Sequence, residues 1–162
     1  MPYTPILATL GYVMSADGRE TLMVHRNKRE GDQHLGKYNG LGGKLEPGED
    51  PVSCIRREIA EEAGITCDSL LLRGTINWPG FGANGEHWFG FIFRIDRFSG
   101  APYQENHEGS LEWVAVDRIL DLPLWEGDPY FLPLVFSREP RQFHGVMPYD
   151  GGRPQGWSYT WC

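Results

Sequence analysis

Hydrophobic and polar positions divide this chain into strand-like runs separated by glycine-rich or charged stretches, with two helical segments among them. Residues 4–14 are apolar and β-branched, Ser15-Ala16-Asp17-Gly18 is a turn signal, and 21–26 reads as a second strand paired to the first. Residues 27–37 are polar and charged and read as a loop. They lead into Tyr38-Asn39-Gly40-Leu41-Gly42-Gly43-Lys44-Leu45, whose glycines permit close backbone approach. By itself that cluster reads as either a hairpin corner or a site of carbonyl ligation and phosphate contact. Beyond residue 65, the pattern predicts strands at 70–78, 87–95 and 111–116. A short helical turn follows at 117–122, then a helix after Asp128-Pro129 through 136, and two weaker strands at 142–147 and 157–161. Loops are expected at 79–86 and 99–109. Mixed strands with two helices indicate an α/β sandwich. No repeat, linker or low-complexity tract interrupts it, so 1–162 reads as a single domain.

The sharpest helical signal lies at 50–64. Asp50 offers an N-cap acceptor, Pro51 suits the first helical position, and Gly64 provides the stop. Val52, Ile55, Ile59 and Ala63 recur at helical spacing as one apolar stripe. At roughly 100° per residue, the stripe spans about 80°; Glu58 and Glu62 lie within about 60° of its edge, with Glu61 just beyond. The three acids therefore border the core face. Like charges at this spacing destabilise a helix. Arg57 supplies only one counter-charge. Two readings follow: a solvated acidic face, or a set of oxygen donors for a hard divalent cation, Mg²⁺ or Mn²⁺.

Composition narrows the choice. At 40% hydrophobic and 13% aromatic residues, the chain is globular. A net charge of −7 argues against long nucleic acids as partners. No apolar run reaches the length of a membrane span. The N-terminal MPYTPILATLGYV lacks the basic region and cleavage site of a signal peptide. The three cysteines, Cys54, Cys67 and Cys162, show no metal-type spacing and read as reduced thiols. The expected location is therefore the cytoplasm. An acidic protein that acts on phosphates needs another source of positive charge, and a bound cation provides it.

The stretch Gly43, five residues, Glu49, seven residues, Arg57-Glu58-Ile59, one residue, Glu61-Glu62, one residue, Gly64-Ile65 resembles the Nudix box at every fixed position, over residues 43–65. The resemblance to the Nudix hydrolases implies an αβα sandwich with a mixed sheet. It also implies Mg²⁺-dependent attack of water on a phosphorus of a small nucleotide. It places Glu58, Glu61 and Glu62 as cation ligands together with the Gly43 carbonyl, while Arg57 and Glu49 hold those carboxylates in position. One glutamate acts as base. Lys44 stands where it either contacts phosphate or simply faces solvent. Glu105 or Glu108 is the extra acid that relatives bring to this site, and Glu108 is preferred; either also reads as a solvated loop acid.

The resemblance reaches beyond the box to the MutT-type oxidised-purine triphosphatases. It is carried by Tyr38-Asn39-Gly40, the strand ending at Trp78, Trp113, Leu124-Trp125-Glu126-Gly127-Asp128 followed by Phe131, and Phe143-His144-Gly145. It implies purine contacts from Asn39, Trp125 and Asp128, with Trp78 in the pocket wall. Trp125 also reads as a core aromatic under the last helix. One departure stands out: where animal relatives have two adjacent aspartates, the first is Gly127, which puts 8-oxo-guanine selectivity in question. Pro79, fifteen residues past Gly64, resembles a feature of ADP-ribose pyrophosphatases, the rival substrate reading. A non-catalytic ligand-sensing domain is disfavoured because every box glutamate is kept. None of the five histidines is assigned a role.

Overall fold

A computed structural model describes residues 1–162. Its strands are β1 (Ile6–Met14), β2 (Glu20–Arg26), β3 (Tyr38–Asn39), β4 (Leu41–Lys44), β5 (Thr66–Trp78), β6 (Trp88–Ser99), β7 (Gly109–Ala115), β8 (Phe143–Val146), β9 (Tyr149–Asp150), β10 (Arg153–Pro154) and β11 (Ser158–Trp161). The helices are α1 (Pro51–Ala63) and α2 (Asp128–Phe136), with a 3₁₀ segment at Val116–Asp121. Nine strands form one mixed sheet with the path β11-β8-β5-β6-β1-β2-β3; β4 joins β1 and β7 joins β2. The pairs β1–β6 and β5–β8 are parallel. β9 and β10 form a separate antiparallel pair.

The expected pairing of β1 with β2 covers only Val13–Leu22 and Met14–Thr21. β2 then splays away and pairs along its length with β7. Over Ala8 to Gly11 the vacated edge of β1 is taken by β4. The glycine cluster thus contains two short strands rather than a hairpin corner. β5 starts at Thr66, four residues before the apolar run at 70, and carries register shifts near Cys67, Ser69 and Leu72. Polar Thr66, Asp68 and Ser69 extend the strand because β6 continues beside them to Ser99.

Strand alternation sends successive side chains to opposite faces. Val13, Leu22, Val24, Phe93 and Ile95 pack with Ile55, Ile59 and Ala63 of α1. Tyr12, Met23 and Ile92 pack with Phe131, Leu132 and Val135 of α2. Full burial of each Ile or Leu contributes about 1.5–3 kcal/mol, so both helices are held by their apolar faces.

The caps fix where α1 begins and ends. Asp50 accepts from the Ser53 N–H at 2.8 Å, and Gly64 adopts the left-handed conformation with φ 71°. At the other helix, Asp128 is the first helical residue and Gly127 the cap, with no side-chain capping bond. α2 thus starts at the Asp128-Pro129 pair that the sequence marks, with Asp128 inside the helix rather than ahead of it. The far end of α2 is closed by Arg73, which donates to the carbonyls of Val135, Leu134 and Glu139, and by Arg94, which donates to Val135 and Ser137. These cations meet the negative end of the helix dipole and anchor the helix whose start carries Asp128.

Candidate active site

The acidic end of the site follows directly from the β4–α1 connection. Gly43 lies opposite Thr9 of β1, and α1 returns across it. A Cβ at Gly43 would stand 2.5 Å from the Glu58 carboxylate, while one at Gly42, where φ is 155°, would collide with the Thr9 carbonyl. Glycine at both positions lets the backbone approach the helix carboxylates closely.

Arg57 organises these acids. It grips Glu49 bidentately, through Nε at 2.7 Å and Nη2 at 2.9 Å. Nη1 reaches Glu58 at 2.9 Å and Glu61 at 3.3 Å, and Nη2 donates to the Lys44 carbonyl at 3.2 Å. The Arg57 guanidinium holds the Glu49 carboxyl below the usual range. Glu58 is mostly covered, with 16% of its side chain exposed, whereas Glu61 is 61% exposed. That difference matches their distances from the apolar stripe.

Glu62 points into the same region without a cation of its own. Burial, a hydrogen bond with Glu58 and the Glu108 charge raise its carboxyl well above the usual range. Glu108 is held by Arg26 at 3.2 Å, and Arg26 is itself fixed by Asp32 at 2.8 Å. Glu105, by contrast, pairs with Lys28 at the surface. Because Arg57 draws Glu58 and Glu61 while Arg26 draws Glu108, no three acidic, His or Cys side chains are gathered into a chelating cluster. The residues nevertheless fit a hard divalent cation. The donor set is all oxygen, the glycine backbone leaves a cradle beside Glu58, and positive charge near Glu62 would relieve its raised proton affinity.

Beside this acidic end opens a cleft of about 1080 Å³. Gly43, Glu62 and Glu108 line one end. Asn39, Trp78, Trp125 and Asp128 line it as well. Trp125 stacks on His34 at 4.1 Å and on Phe81 at 5.1 Å. Phe81 also meets Trp78, Trp88 and Tyr149. Three buried polar atoms in the lining, Tyr12 Oη, Trp88 Nε1 and Trp125 Nε1, have no hydrogen-bond partner. Buried donors are normally satisfied, so this wall is built to meet polar atoms from a ligand or solvent. Burial pushes the Asp128 carboxyl up to about 7, against the lowering influence of Lys37.

The cleft therefore gathers Asn39, Gly43, Glu62, Trp78, Glu108, Trp125 and Asp128. Arg57, Glu58 and Glu61 stand behind the lining, joined to it through Arg57 and the Glu58–Glu62 contact. Lys44 is exposed, and its Nζ lies 5.4 Å from the Trp88 ring centre, at the rim. Sequence reasoning passed over Arg26, His34, Lys37, Phe81, Trp88 and Tyr149, all of which line the cleft. They come from loops and strands far apart in the chain. Only the glycines flanking Phe81 and following Tyr149 marked those segments as turns.

This is an α/β sandwich in which an acidic loop and helix face a nucleotide-sized, aromatic cleft. The NUDIX domain model matches residues 4–135, and the chain belongs to the Nudix family of hydrolases. It is 34% identical over 116 residues to the oxidized purine nucleoside triphosphate hydrolase of Danio rerio, covering 72% of each protein. With the enzyme of the same name from Mus musculus, it is 34% identical over 104 residues, 64% of this chain and 65% of that one. Among solved structures, the mutator MutT protein from Bacillus halodurans superposes with a TM-score of 0.81 at 26% identity, covering 95% of this chain and 97% of that one.

Proposed function

We propose that this protein is a divalent-cation-dependent pyrophosphohydrolase of purine nucleoside triphosphates. Oxidised purine deoxynucleotides such as 8-oxo-dGTP are its substrates, and a monophosphate and pyrophosphate its products. The observation that carries this reading is the joining of two chemistries in one cleft: oxygen donors at Gly43, Glu62 and Glu108, and aromatic and polar groups at Asn39, Trp78, Trp125 and Asp128. The names of the Danio rerio and Mus musculus relatives support the same substrate class.

In this reading Glu58, Glu61, Glu62 and the Gly43 carbonyl hold Mg²⁺, with Mn²⁺ as a substitute, and Glu108 approaches from the β7 side. When bound, the cation offsets charge on the phosphate oxygens. Arg57, locked on Glu49, keeps Glu58 and Glu61 in place. Lys44 at the rim adds positive charge near the entering phosphates. At the other end, a base that stacks on Trp125 competes with His34 or Phe81 for that ring, while Asn39 and Asp128 meet its edge. The buried free thiols Cys54 and Cys67 support a reducing compartment such as the cytoplasm.

Product analysis tests the bond that is cleaved. Incubation of 8-oxo-dGTP with protein and Mg²⁺, followed by ion-exchange chromatography, is expected to yield the monophosphate and pyrophosphate, and EDTA to stop it. A diphosphate with inorganic phosphate, or turnover that ignores EDTA, would contradict the proposal.

A further inference from the structure

The family match ends at residue 135, yet the cleft does not. Tyr149, Asp150, Gly151 and Gly152, from the β9–β10 hairpin, form part of its wall. The hairpin is tied to the body by the Tyr149 N–H, which donates to the Pro79 carbonyl at 2.7 Å. The Tyr149 ring also meets Phe81 edge-on at 4.9 Å. Its hydroxyl lies against Gly127: a Cβ added there would overlap both Tyr149 Oη and Met147 Sδ. Gly127 is fully buried and has φ −81°, so glycine is required here for space rather than for backbone freedom. The phenol has thus taken the volume that a side chain at position 127 would fill, next to Asp128.

We propose that the Tyr149 hydroxyl is a specificity-determining group for the base, acting with Asp128. The pair presents one donor beside a two-oxygen acceptor, which complements the 2-amino-6-oxopurine edge: the 6-oxygen accepts from Tyr149, and the N1–H and 2-amino groups donate to the two Asp128 oxygens. A 6-aminopurine offers Asp128 a single donor. Burial and the Asp128 charge both raise the Tyr149 phenol above its ordinary value, so it stays protonated as a donor. The proposal rests on the placement of the base at this end of the cleft.

The test compares wild type with Tyr149→Phe, which removes the hydroxyl and keeps the ring on Phe81. Substrates are dGTP, 8-oxo-dGTP and 2-aminopurine deoxynucleoside triphosphate, which lacks the 6-oxygen. We expect kcat/KM for both 6-oxopurines to fall about 10- to 100-fold, chiefly through KM, and that for 2-aminopurine to fall less than about threefold. Gly127→Ala, which displaces the hydroxyl from the opposite side, is expected to erode the same preference, so the proposal does not depend on one variant folding. An equal loss on all three substrates, or none, would overturn the role of Tyr149 while leaving purine triphosphate hydrolysis intact. Wild-type protein that hydrolyses ADP-ribose and none of the three would overturn the underlying reading together with this one.

Discussion

The two ends of the cleft are built on different principles. The acidic end is mostly local in sequence: Gly43, Glu49, Arg57, Glu58, Glu61 and Glu62 fall within 20 residues, on β4, one loop and α1. Their geometry is set by helical periodicity, two caps and one arginine fork. Glu108, held by Arg26, joins them from elsewhere. The aromatic end is assembled from β3, β5, the loop after β5, the start of α2 and the β9 hairpin, so only the folded sheet brings its groups together. Charge pairing sets Glu49 at the first end, while burial dominates at Glu62 there and at Asp128 in the second. Where Arg57 neutralises Glu49, that carboxyl stays low; where Asp128 is buried with only Lys37 in opposition, it rises to about 7.

If catalytic power resides at the acidic end and selectivity at the aromatic end, substitutions in the two regions will separate kcat from KM. The largest effect is expected from Glu61→Gln and Glu62→Gln, each lowering kcat about a thousandfold with an unchanged circular dichroism spectrum. Near-normal turnover in both would remove the cation role from these residues. Arg57→Ala comes next, since it frees Glu58 and Glu61 and leaves Glu49 unpaired. It should cost about 10- to 100-fold in kcat and lower the melting temperature, and an effect confined to KM would break the comparison. Asp128→Asn should raise KM for purine triphosphates about tenfold while leaving the Mg²⁺ concentration for half-maximal rate in place. A shifted Mg²⁺ requirement would mean that the two ends are not separate.

The smallest effect is on stability. Asp128 has a folded-state pKa raised from 3.8 to about 7, so the folded state favours its neutral form. Its burial therefore costs nothing below pH 3.8 and becomes progressively destabilising as pH rises towards 7. Asp128→Asn should thus melt several degrees higher than wild type at pH 8, with no difference at pH 3.5. A pH-independent difference would assign the effect to packing.

The same contrast explains what could be read in advance. The acidic end was legible because spacing along one helix is a local property, and Asp50, Pro51 and Gly64 cap α1 where expected. Of the two loop acids weighed, Glu108 lines the cleft and Glu105 pairs with Lys28 at the surface. At the aromatic end, the resemblance named Asn39, Trp78, Trp125 and Asp128 but not the groups packed around them. His34 and Phe81 sit in stretches that read only as polar or glycine-rich loops, and they reach Trp125 through tertiary packing. Tyr149 belongs to a hairpin with two residues per strand, too short for any periodic signal. β4 escaped notice because two of its four residues are glycine, which has low strand propensity, and the vacated edge of β1 imposes its pairing; β3 is only two residues long and is held by β2. Gly127 read as a missing acid, and its neighbours show instead a space filled by a phenol.

The most direct test of the central claim is a substrate panel with Mg²⁺, comparing kcat/KM for 8-oxo-dGTP, dGTP, 8-oxo-dATP and ADP-ribose. Joined acidic and base-reading ends predict a clear preference for the oxidised deoxynucleoside triphosphates. A preference for ADP-ribose, or no turnover of any of the four, would contradict it.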